Sequence, residues 1–341
     1  MCKKDYNIGL AILRTIMCFM VVLCHCWDAP NVQGVMKIIS LTRGYAVSVF
    51  MLMSFILVQQ TLVEHKKSKL IARFERLLIP QFGWAIIYWG VYSFIDMIFD
   101  TQLEHGIKDL IWQMFLGHSP QLNATMWYQV DLIYLTLLFL AVILIFQKNY
   151  ETVLMILGFL ALAAQYSGIN LIFDNLRFEL KYPLGRFAEM LPIAVGGFVI
   201  SSHKILEKLK SHTWIVIISS IAIIGVEELH GLLPSAPGYG YSGIRMIAVA
   251  ASFVALFYVI PFDRLNDRMK KLLQTITKYT MGIYCMHRLV STLLSIAIIH
   301  WDIAVSVNSF NMCILIYILC FVLSWIGSML LGKTKLNALF N

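Results

Sequence analysis

Ten apolar stretches recur along the chain, and together they restrict its fold more than any other feature. They are Ile8–Trp27, Ala46–Leu62, Pro80–Phe99, Trp127–Phe146, Val153–Tyr166, Phe187–Ser201, Trp214–Val226, Gly243–Ile260, Met281–Ile299 and Met312–Leu331. About 20 helical residues cross the hydrocarbon core of a bilayer. The fifth, sixth and seventh stretches are short, and their ends are the least defined. Such recurring apolar segments of about 17–21 residues are the bilayer-spanning signature. The expected architecture is an all-α, polytopic membrane protein, a bundle of about ten transmembrane helices forming one domain over residues 1–341. Ile8–Trp27 lacks a small-x-small cleavage site and contains Arg14, so it reads as a true helix and not a signal peptide.

A net charge of +8 raises the question of nucleic acid, and its distribution answers it. With the N-terminus placed in the cytoplasm, the inner segments hold 18 Lys and Arg residues and the outer segments six. That asymmetry follows the positive-inside rule and puts both termini in the cytoplasm of the cell membrane. The basic excess is a topology signal, and no nucleic-acid partner is expected. Six of the seven cysteines lie in apolar stretches, where the thiol acts as a small hydrophobe. Cys24-His25-Cys26 cannot converge on one ion, because consecutive helical residues point about 100° apart, so no metal site is expected.

The polar residues inside these stretches are where chemistry is expected, since ionisable groups in a membrane are costly. Arg14 and His25 have ten residues between them. Eleven helical steps bring them to within about 20° of one face, roughly 16 Å apart along the axis. His25 can act as a general base; the plainer alternative is a histidine bonded between helices or lying at the headgroups. Arg14 can instead snorkel to the inner surface. Arg73 and Arg76, three apart before Pro80, form a phosphate-binding pair or an ordinary positive-inside loop. Gly282-Ile283-Tyr284-Cys285-Met286-His287-Arg288 carries an imidazole and a guanidinium deep into the ninth stretch, and adjacent residues there are expected to serve different partners. Trp127, Tyr128, Gln129, Asp131, Arg186, Glu189 and Arg245 gather toward the outer side. Either Asp131 or Glu189 is placed to orient His25 or to pair with Arg245; the aromatics also fit an interfacial belt.

Taken in order, these motifs resemble the acyltransferase-3 family of integral-membrane O-acyltransferases along nearly the whole chain. Arg14 and His25 match the family's first-helix arginine and histidine, and Arg73 and Arg76, with Leu-Leu-Ile-Pro after them, match its Arg-x-x-Arg. Phe50–Phe55 corresponds to its Phe-rich stretch, Trp127-Tyr128 to its fourth-helix opening, and Gly282–His287 to its Gly-Ile-Tyr-x-x-His. Phe55 stands where the family usually has glycine, and that bulk is expected to narrow the acceptor path or to alter close helix packing.

The resemblance implies transfer of an acyl group, commonly acetyl, from cytoplasmic acyl-CoA to a hydroxyl of an extracytoplasmic or lipid-linked surface glycan. Acyl-CoA is then a co-substrate, with no permanently bound cofactor. Arg73 and Arg76 would hold the CoA phosphates, Arg14 would meet the CoA or its acyl arm, and His25 would take the acceptor proton. Ser54, Tyr284, His287, Arg288, Trp127 and Asp131 are candidates for oxyanion or acceptor contacts. A transporter or glycan exporter without acyl transfer is the competing class, and a membrane sensor or assembly partner is a third. Nothing in the chain's apolar surfaces specifies an oligomeric state.

Overall fold

In the lipid interior each backbone amide must be satisfied within its own segment, which for continuous apolar runs means helix. The computed structural model describes residues 7–26, 43–99, 106–118, 126–166, 178–231, 243–262, 265–300 and 310–340, and these form helices without strands. In chain order the helices are α1 Ile8–Cys26, α2 Ala46–Val63, α3 Lys67–Phe99, α4 Ile107–Leu116, α5 Trp127–Phe146, α6 Tyr150–Tyr166 and α7 Phe178–Ser202. They continue with α8 Ile205–Leu209, α9 Thr213–Gly231, α10 Ile244–Val259, α11 Asp267–Lys278, α12 Thr280–His300 and α13 Phe310–Leu331. Eight stretches are long and apolar enough to cross a membrane. One of them, Trp127–Tyr166, is two helices, reversed at Gln147 with φ 42° and a single 3-10 turn. With the shorter α10, this makes ten apolar helices, matching the ten stretches. Trp27 lies outside the described residues.

The helix ends differ from expectation where polar residues or prolines suggested a boundary. α3 runs through Pro80 and is 33 residues long. A proline inside a helix opens its ladder locally, and just before it the Leu77 carbonyl accepts a bond of 2.6 Å from Gln129 Nε2. α7 likewise continues through Pro183 and Pro192. α9 passes Val226 because Glu227 is compensated by Arg245, 3.5 Å away on α10.

Two further helices lie in connecting segments. α4 ends at Gly117, in the left-handed region at φ 64°, and its last carbonyls are capped from neighbours. Gln81 Nε2 donates to Met114 O at 3.3 Å, and the Tyr134 hydroxyl to Phe115 O at 2.8 Å. These bonds satisfy carbonyls that a helix end leaves open. α11 is amphipathic and basic, with Asn266 as its N-cap through Met269 N at 2.8 Å. At the turn joining α2 to α3, hydrogen bonds from Lys66 and Gln60 hold the Glu64 carboxyl below its ordinary range.

Packing divides around α1. One core is built from α1, α2, α5, α6, α7 and α10. Smaller clusters join α1 to α12 and α13, and join α3 and α12 to Phe340. α1 touches α2, α10, α11, α12 and α13, so its side chains line a seam between the two groups. Glycine permits the closest crossings: a Cβ at Gly9 would overlap the Phe257 carbonyl, and one at Gly197 the Leu52 carbonyl. Large apolar side chains face outward around the bundle, with Trp214, Ile215 and Ile218 of α9 among the most exposed.

Candidate active site at the seam

The C-terminal end of α1 carries His25, and α12 meets it there. Arg288 Nη1 donates to the His25 carbonyl at 3.2 Å. A guanidinium at a helix C-terminus satisfies an open carbonyl and complements the negative end of the helix dipole. The His287 ring lies 5.2 Å from the His25 ring, centroid to centroid. The expectation that His287 and Arg288 serve different partners therefore needs correcting: both meet His25, one at its ring and the other at its main chain. A helix delivers adjacent residues in different directions, but the end of α1 is broad enough to receive both.

His287 is fully buried, and its Nδ1 lies 2.6 Å from the Tyr284 carbonyl. Its Nε2 is buried and has no hydrogen-bond partner among the described residues. The backbone around it is held open by another helix. The Tyr88 hydroxyl of α3 donates to Cys285 O at 2.7 Å and accepts from Leu289 N at 3.0 Å. Those two groups would otherwise bond each other in the α-helical ladder, so Tyr88 is inserted into it, a recognised cause of local bending. Cys320 Sγ donates to the His287 carbonyl at 3.2 Å.

A second polar group lies further back along α1. The charges of Arg14 and Arg73 both act on the Tyr128 hydroxyl, which bonds Ser54 of α2. Arg14 and Arg73 also act on each other. Nε and Nη2 of Arg73 are buried and have no hydrogen-bond partner, and Arg73 has no carboxylate in an ion pair, among the described residues. Arg76 behaves differently. It is exposed and donates through Nε to Ala72 O of its own helix at 3.0 Å. The two arginines expected to act together are thus divided, one turned into the bundle and one out of it.

Rings connect the two groups. Tyr128 and Tyr284 lie 6.0 Å apart, Tyr284 and His287 6.1 Å, and His287 and His25 5.2 Å. Cations thus lie at one level of the seam and a pair of imidazole rings at another, joined by an aromatic row.

The outer polar residues resolve into separate pairs. Arg186 bonds Glu189 at 3.0 Å and lies 5.0 Å over the Trp127 ring. Asp131 is buried within the field of Arg186 and Glu189, and its Oδ2 has no hydrogen-bond partner among the described residues. Arg245 pairs with Glu227. Glu189 thus pairs within α7 and Arg245 with α9. Phe55 is fully buried and packs on Phe139 at 4.5 Å, so its ring fills the main core. Tyr88 was not singled out from sequence. Trp84, Tyr88 and Tyr92 recur at every fourth residue, and that one-faced stripe was the available signal.

The fold and this site define a multi-pass membrane protein with cations and a pair of imidazole rings brought together between its helices. A family model described as an acyltransferase domain matches residues 7–333, and the chain belongs to that acyltransferase-3 family. It is a membrane acyltransferase. No curated protein and no solved structure matches it.

Proposed function

We propose that this enzyme moves an acyl group, acetyl in the first instance, from cytoplasmic acyl-CoA to a hydroxyl of an extracytoplasmic or lipid-linked surface glycan. The observation that carries this reading is the pair of groups along the seam: the cations Arg14 of α1 and Arg73 of α3, whose Nε and Nη2 are buried, and an imidazole at His25 about 16 Å further along α1. Two guanidiniums whose charges act on each other favour an anion between them, and the CoA phosphates are anions. An extended pantetheine arm would then carry the thioester along the seam toward His25. His25 takes the proton of the acceptor hydroxyl as its oxygen attacks the thioester carbonyl. The C–S bond breaks, the ester forms, and the CoA sulfur leaves with the proton. Tyr284 and Arg288, beside the imidazole pair, and Ser54 are the candidate donors to the oxyanion that develops. The 18-to-6 distribution of basic residues supports a cell-membrane protein with both termini in the cytoplasm.

The test uses purified protein with radiolabelled acetyl-CoA, wild type beside His25→Ala and Arg14→Ala. Binding that depends on Arg14, with turnover that depends on His25, is the expected result. If no acyl-CoA of any chain length binds, the reading fails and substrate-flux assays take its place.

A further inference from the structure

We infer that His287 is a positioning residue for His25, fixing the tautomer in which His25 acts. The inference rests on the acyl-transfer reading for what His25 does, but its geometry stands apart from any substrate. A carbonyl oxygen only accepts, so the Nδ1 that lies 2.6 Å from Tyr284 O must carry a hydrogen. In the neutral ring the other nitrogen is then a lone-pair acceptor. That Nε2 is buried and has no hydrogen-bond partner among the described residues, and a buried acceptor left unmet is costly. The nearest ring to that of His287 is His25, at 5.2 Å between centroids. At about that separation, two imidazoles turned nitrogen to nitrogen come within ~2.9 Å, ordinary hydrogen-bond distance. Catalytic hydrogen bonds often close only when substrate is bound.

One nitrogen of His25 therefore donates to His287 Nε2, which leaves the other as the lone pair that accepts the acceptor's proton. When that proton arrives, His25 is positively charged, and the bond to His287 Nε2 orients and stabilises it. The proton then passes to the departing CoA sulfur, and both rings return to their starting state. Two features keep His287 in place. The Tyr88 hydroxyl holds the α12 backbone open between Cys285 and Leu289, and Cys320 anchors the His287 carbonyl.

The experiment combines kinetics with histidine-selective nitrogen-15 NMR in lipid nanodiscs, for wild type, His287→Ala and His287→Gln. The glutamine amide oxygen can stand near the position of Nε2 and accept the same bond. His287→Ala is expected to lower the turnover number about 100-fold or more, with KM for acetyl-CoA within about twofold. In it the His25 signal should change from one tautomer to a mixture, and His287→Gln should restore both the tautomer and most of the turnover. A single unchanged His25 tautomer in a folded His287→Ala variant would overturn the inference. So would a His287→Gln enzyme as slow as the alanine variant. Absence of turnover with any acyl-CoA in the wild type would instead remove the acyl-transfer reading, while the tautomer comparison would still test the pairing of the rings.

Discussion

Replacing Arg73 with methionine should make the protein more stable and unable to bind its donor. Two nitrogens of this guanidinium are buried without partners among the described residues, and the nearby charges include Arg14 and Arg76. Each unmet buried polar group costs about 1–3 kcal/mol. Methionine keeps most of the buried chain while removing the charge. Allowing for lost packing, the net gain is about 1–3 kcal/mol. At ~2 °C per kcal/mol for a chain of this size, melting of the ligand-free protein should rise by about 2–6 °C. Melting is measured in detergent with a thiol-reactive dye, which reports exposure of the buried Cys18, Cys285 and Cys320. Wild type at 100 times its Kd for CoA should gain about 2.7 kcal/mol by linkage, and the Arg73→Met variant should gain little. Arg76→Met is the control, since an exposed residue bonded to its own helix should change stability by no more than about 0.5 kcal/mol. A lower melting temperature in Arg73→Met, or a full CoA-induced shift in it, would refute the view of Arg73 as an uncompensated cation awaiting an anion.

Three other outcomes are expected. Gly197→Ala should abolish the folded protein or cost roughly 3 kcal/mol or more, because its Cβ would overlap the Leu52 carbonyl; Gly196→Ala, whose Cβ would meet only ordinary contacts at 3.6 Å or more, should melt near wild type. Phe55→Gly should lose about 4 kcal/mol or more by emptying the space against Phe139; faster or broader acceptor use by a stable variant would instead return Phe55 to an acceptor path. Tyr88→Phe lets Leu289 N and Cys285 O bond directly, so stability should change by only about 1 kcal/mol while turnover falls. Unchanged turnover would show that the opened ladder does not set the position of His287.

The membrane class and the placement of the ten apolar helices were legible because a bilayer imposes a length and an apolar composition on anything that crosses it. Arg14 and His25 stood out for the same reason, since both are costly inside such a helix. Boundaries were misread where a local signal was compensated elsewhere: Glu227 by Arg245, and Pro80 by the packing that carries α3 past it. The pairing of His25 with His287 was not legible. The two rings lie 262 residues apart, and no spacing rule connects α1 to α12. Nor does an Arg-x-x-Arg spacing say which arginine faces inward; burial divided Arg73 from Arg76, and burial belongs to the assembled bundle.

Because the first helix packs against the twelfth, its contacts there cannot form until synthesis has passed residue 288. Thr15 bonds Thr277, Cys18 bonds the Thr280 carbonyl, and Arg288 bonds the His25 carbonyl. At ~5–20 residues per second of synthesis, α1 waits on the order of 15–50 s for these partners. During that interval its arginine and histidine must be tolerated by the insertion machinery or shielded by α2. A nascent chain stopped before α12 would hold the cations of the seam without the ring that meets His25.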